Sequence, residues 1–129
     1  MLSKVSPEYF WMMKKRKEKI VMVTAYDYPT AQLAEQGGVD IILVGDSLAV
    51  TTLGYNSTKE ISLTEMLHHC RAVKRGVKDT HIIGDMPIGT YQTPELAIKN
   101  AEQFIIAGCH SVKFEGPRYD IARALIKAG

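Results

Sequence analysis

With 129 residues, 46% of them hydrophobic, the chain has the length of one ordinary domain and enough apolar mass for a core, which excludes a disordered tail. The 16 Lys and Arg residues against 14 Asp and Glu leave a formal charge of +2, so the totals carry no nucleic-acid signature and point to a small-molecule partner. No stretch nears the roughly 20 apolar residues of a membrane helix, and no N-terminal run resembles a signal peptide, so a cytoplasmic protein is expected.

Pro7 and Glu8 open a first helix that is expected to run to about Lys17. Its basic end, Lys14 to Lys19, reads as cations placed at a helix C-terminus, where the macrodipole favours them, rather than as a nucleic-acid or membrane patch. Residues 1–19 form an N-terminal helical segment that either caps the floor of the domain at 20–129 or packs outside it. Ile20 to Ala25 is apolar without interruption and predicts a strand buried on both faces. Pro29 starts a helix through Gln36, stopped by Gly37 and Gly38. Ile41 to Val44 is a second strand, and polar chemistry begins where it ends, at Gly45-Asp46-Ser47.

Leu48 to Ile61 is a connection about twice the usual length of a βα loop, rich in Thr, Ser and Gly, and such loops are commonly functional. Ser62 and Glu65 have capping-box spacing, and Leu63, Met66, Cys70 and Val73 give the following helix its buried stripe up to Gly76. His81 to Gly84 is a third strand leading into Asp85-Met86-Pro87. Thr93 as N-cap and Pro94 at the first helical position begin a helix with Ala97, Ala101, Phe104 and Ile105 facing inward, ended by Gly108. Ser111 to Glu115 is a fourth strand whose Lys113 and Glu115 share one face. A last helix covers Ile121 to Lys127, with Gly129 at its end.

Strands alternating with helices mark a parallel sheet, and four such units are half of a (β/α)8 TIM barrel of about 250 residues. The expectation is a half barrel whose open sheet edges are covered by another chain or by further sequence.

In a barrel the C-terminal ends of the strands carry the active site. Asp46, Asp85, Lys113 and Glu115 all fall there. Two aspartates on neighbouring strand ends can reach a common point, and hard oxygen ligands are what Mg²⁺ prefers, whereas a single such Asp is more often a loop or capping residue. Cys70 and Cys109 fit neither a zinc knuckle nor a disulfide framework and are expected as reduced thiols. His68 and His69 point about 100° apart on a helix and do not share an ion; they are expected at the surface or an interface. Tyr26 and Tyr91 either line the pocket or pack beneath its loops.

Thr24-Ala25-Tyr26-Asp27-Tyr28, Val44-Gly45-Asp46-Ser47-Leu48, Leu53-Gly54-Tyr55, His68-His69, Gly84-Asp85-Met86-Pro87, Tyr91, Thr93-Pro94-Glu95 and Val112-Lys113-Phe114-Glu115-Gly116 resemble, in order and spacing, the ketopantoate hydroxymethyltransferases. The resemblance implies Mg²⁺ held by Asp46 and Asp85, with Glu115 close to the metal and acting through water. It further implies a 2-oxo acid held by Ser47 and Lys113 beside Asp46 and Asp85, and methylenetetrahydrofolate as the one-carbon co-substrate. Lys113 would be catalytic, its cation stabilising charge on an enolate oxygen, where the plain alternative is a lysine paired with a carboxylate. The family is homo-oligomeric, and its general base lies in the half that this chain does not contain. The chain departs from the pattern at Ala49, Asn56, Lys59-Glu60, Ile88 and Pro117, which bears on loop shape and folate fit but removes no implied ligand.

Two other readings compete. One is a Mg²⁺-dependent 2-oxo-acid enzyme of the phosphoenolpyruvate mutase and isocitrate lyase group, which needs no folate. The other is a non-catalytic half barrel that serves only in assembly.

Overall fold

The computed structural model describes residues 3–129, so the first two positions of the expected 1–19 segment lie outside it. In chain order the elements are helix α1 (Pro7–Lys15), strand β1 (Met22–Thr24), α2 (Tyr28–Gln36), β2 (Ile41–Val44), the short α3 (Leu48–Thr51), a 3₁₀ turn (Thr58–Glu60), α4 (Leu63–Gly76), β3 (His81–Asp85), α5 (Pro94–Ile106), β4 (Ser111–Lys113) and α6 (Tyr119–Ala128). The four strands are all parallel and lie in the order β1-β2-β3-β4. Each new strand is laid beside the one before, as in about four βα units of a (β/α)8 barrel.

Local chemistry explains where the helices start. Ser62 Oγ accepts the Glu65 N–H at 3.2 Å while Glu65 Oε2 accepts the Ser62 N–H at 2.8 Å, a reciprocal cap for α4. Asp27 and Thr93 cap α2 and α5 through their side-chain oxygens, with a proline in the first turn of each. The buried face of α4 is Met66, Leu67, Cys70 and Val73, with Leu63 half-buried at its rim. The long connection after β2 is partly helical, in α3 and the 3₁₀ turn.

The core lies between the sheet and the helices α4 and α5, with Ile42, Val44, Ile82, Met66, Val73 and Phe104 fully enclosed. Gly84 makes room for it: a Cβ there would stand 2.3 Å from Phe104 Cδ1, so only glycine lets this ring close on β3.

Four expectations change. β1 is exposed along its length, not buried on both faces, because it is an edge strand with one neighbour; Met22 is 52% and Val23 36% accessible. Ile105 is 51% exposed, not inward: eight residues from Ala97 it has drifted about 80° round the helix, and Asn100 is buried in the arc instead. β4 stops at Lys113 and not Glu115. α1 ends at Lys15, and Lys17 takes a left-handed φ of 58°.

At the N-terminal edge of the sheet, His81 Nδ1 donates to the Val5 carbonyl at 2.7 Å and Phe10 meets the His81 ring edge-on at 5.2 Å. These contacts set α1 against the floor, one of its two expected placements.

Candidate active site

Register brings the site together. Asp85 and Lys113 are paired positions in the β3–β4 ladder, and paired positions project to the same face. Lys113 Nζ therefore reaches both Asp85 oxygens, at 3.0 and 3.1 Å, and adds a bond to Glu115 Oε1 at 3.0 Å. From the end of β2 the Asp46 N–H donates to Asp85 Oδ2 at 3.0 Å. Asp85 is buried and Lys113 half-buried, while Glu115 opens to solvent. Of the two sequence readings of Lys113, the structure shows the ion pair, at the mouth of a strand-end site.

Three carboxylates face one ammonium here. Burial, and then the charge of Asp85 with that of Glu115 behind it, push the Asp46 carboxyl above the usual range despite the opposing pull of Lys113. For Lys113 burial pulls downward, but the hydrogen bonds to Asp85 and Glu115 outweigh it and the ammonium is held above its ordinary value. The excess negative charge and hard oxygen donors match a divalent cation that takes its remaining ligands from water and substrate. Among the described residues no three Asp, Glu, His or Cys side chains form a closed cage. Mg²⁺ needs none, since one or two carboxylates suffice when the other ligands are mobile. Asp46 and Asp85 are the pair that could hold it.

Ser47 heads α3 as its N-cap, yet its hydroxyl makes no capping bond. Its Oγ lies 2.9 Å from the Tyr26 hydroxyl, just past the end of β1. The Tyr26 carbonyl in turn accepts from His69 Nδ1 at 2.7 Å, which draws α4 into the same assembly. His69 is thus half-buried with a partner inside the chain, whereas His68 is exposed as expected. Tyr26 belongs to the site; Tyr91 packs on Phe114, with ring centroids 5.4 Å apart. Sequence reasoning did not find the Tyr26–Ser47 bond or the His69 brace. The only signal was that a tyrosine and a serine follow adjacent strands.

Farther round the rim hydrogen bonds from Ser62, and then one from the Tyr55 hydroxyl, hold the Glu65 carboxyl down at about 2. Cys70 and Cys109 are buried free thiols, and the neighbouring Cys109 together with burial pushes the Cys70 thiol up, away from nucleophilic use. No helix among the described residues is long and apolar enough to cross a membrane.

In solved structures this architecture recurs in 2,3-dimethylmalate lyase, a phosphoenolpyruvate mutase/isocitrate lyase superfamily member (TM-score 0.73, 17% identity, 98% of this chain and 48% of that one). It recurs also in a phosphonopyruvate hydrolase crystallised with oxalate and Mg²⁺ (TM-score 0.72, 16% identity, 98% and 47%). Likeness at that identity defines the class by fold: a half-length piece of a (β/α)8 barrel.

Sequence carries the assignment further. The family model described as ketopantoate hydroxymethyltransferase matches residues 4–129. The 3-methyl-2-oxobutanoate hydroxymethyltransferase of Ignicoccus hospitalis is 50% identical over 92% of this chain and 47% of its own length. That of Geobacillus kaustophilus is 49% identical over 93% and 44%. The chain belongs to the ketopantoate hydroxymethyltransferase family, and it spans about half the length of the curated relatives it matches.

Proposed function

We propose that this chain is the first half of a cytoplasmic, homo-oligomeric barrel that transfers a hydroxymethyl group from methylenetetrahydrofolate to 3-methyl-2-oxobutanoate, forming 2-dehydropantoate for pantothenate and coenzyme A synthesis. The observation that carries the reading is the buried Asp85, gripped by Lys113 and by the Asp46 N–H at neighbouring strand ends. Family membership at about half identity favours this activity over that of the phosphoenolpyruvate mutase group, whose members share the fold at 17% identity or thereabouts.

In this reading Asp46 and Asp85 hold Mg²⁺, with Glu115 standing near it and acting through water. Bound there, the metal would supply Lewis acidity to the carbonyl of a 2-oxo acid. The chain's own groups do the rest of what this half contributes. Ser47 and Lys113 hold the carboxylate and oxo oxygens of the acid. The Lys113 ammonium, kept protonated by Asp85 and Glu115, stabilises negative charge on the oxo oxygen as a proton leaves the adjacent carbon. The carbanion so formed bonds to the one-carbon unit as that carbon's bonds to the folate nitrogens are broken; water supplies the hydroxyl oxygen and tetrahydrofolate leaves. The base that takes the proton is expected in the other half of the barrel.

Calorimetric titration with Mg²⁺ tests the reading. Asp46→Ala and Asp85→Ala are each expected to abolish measurable binding, and unchanged binding in both variants would refute it.

A further inference from the structure

Ser is among the best N-cap residues because its oxygen can satisfy a free N–H of the first helical turn. Ser47 precedes α3 but already has a helical backbone, φ −57° and ψ −18°, so its hydroxyl is not set to cap and makes no capping bond. The hydroxyl instead meets Tyr26 at 2.9 Å. Tyr26 is held in its turn. Its ring is half-buried against the core, and its carbonyl takes the His69 Nδ1–H at 2.7 Å. A carbonyl can only accept, so His69 carries its proton on Nδ1 in this pairing.

We infer that Tyr26 is a positioning residue for the 2-oxo acid, which it orients through Ser47, with His69 bracing it from α4. The inference rests on the functional reading above and deepens it. A tyrosine hydroxyl and a serine hydroxyl can donate in either direction. Once an anionic oxygen lies beside Ser47, one direction is selected: Tyr26 donates to Ser47 and Ser47 donates to the anion. Each bond in such a chain polarises the next. Tyr26 itself need not touch the substrate.

The test is a double-mutant cycle on the affinity for 3-methyl-2-oxobutanoate in saturating Mg²⁺, followed by calorimetry. Tyr26→Phe keeps the ring and removes one hydroxyl, and is expected to weaken binding about 3- to 10-fold, the range of one neutral hydrogen bond. In a Ser47→Ala background the same change is expected to cost less than about twofold, because its route to the ligand is gone. Unaltered affinity in Tyr26→Phe, or an equal loss in both backgrounds, overturns the inference alone. Ser47→Ala without any effect, or no binding by the unaltered chain, overturns the functional reading and the inference with it. A second measurement does not depend on how Tyr26→Phe folds. The ¹³Cζ resonance of Tyr26 should move when the acid is added to the unaltered chain and stay still in Ser47→Ala. A resonance that moves equally in both, or in neither, also counts against Tyr26 acting through Ser47.

Discussion

Asp46 titrates above the usual carboxylate range because burial, and next the charge of Asp85, disfavour its ionised form. An acid whose folded value is raised weakens the fold at neutral pH, and that penalty disappears as the pH falls through the raised value and the folded state takes up the proton. Asp46→Asn should therefore raise the melting temperature at pH 7 by roughly 2–5 °C, with the gain shrinking toward zero near pH 3. The same variant should lose Mg²⁺ binding. Thermal scans by circular dichroism at the two pH values check the first part, and an unchanged or lower melting temperature at pH 7 contradicts it. Asp46, Asp85 and Lys113 were legible in the sequence because charged residues directly at the ends of apolar strands stand out. The bond between Tyr26 and Ser47 was not, since it depends on which way two side chains turn after their strands have paired.

Between β3 and β4 a side chain continues what the backbone begins. The ladder starts at the Ile83–Ser111 pair, but one residue earlier the Ile82 N–H donates to His110 Nδ1 at 2.9 Å and the His110 N–H returns a bond to the Ile82 carbonyl at 2.8 Å. That geometry needs Nδ1 unprotonated. Burial, and then the neighbouring His81 and Lys74, lower the His110 value to about 4. A histidine lowered in the fold leaves the unfolded chain binding more protons between its ordinary value and the lowered one. Stability is therefore whole above about pH 6.5 and is lost as the pH falls toward 4. His81, also lowered by burial, adds in the same sense. Urea midpoints measured from pH 7 to pH 4 should fall, and His110→Asn, which keeps an acceptor at the Nδ1 position but does not titrate, should flatten the decline. An equally steep decline in that variant would assign it to other groups. At this scale the cap of α4 and the extent of β2 were readable, because both depend on residues close in sequence. The exposure of β1 and the outward turn of Ile105 were not, because burial is decided by which neighbours an element finds.

The sheet presents two unpaired edges, β1 and β4, and the α5–α6 side carries an apolar groove of about 670 Å³ lined by Ile98, Ile105, Val112, Phe114 and Leu125. Four units supply the proposed metal and oxo-acid groups but not the expected base. The 129-residue chain by itself should then bind Mg²⁺ and 3-methyl-2-oxobutanoate without converting them. Folate-dependent turnover by the purified chain, followed as 2-dehydropantoate formed, would overturn this division of labour. A monodisperse oligomer indifferent to Mg²⁺, seen by light scattering and titration, would instead favour the assembly-only reading.

By itself the sequence determined the alternation of strand and helix, the caps, the parallel half barrel and the acidic strand ends, since these follow from periodicity and from residues near one another in the chain. Only the tertiary structure decided that Asp85 lies across from Lys113, that Ser47 turns to Tyr26 rather than to its helix, and that β1 is left open on its outer side. Those outcomes depend on register and packing between distant segments, and no local pattern encodes which partner a side chain will meet.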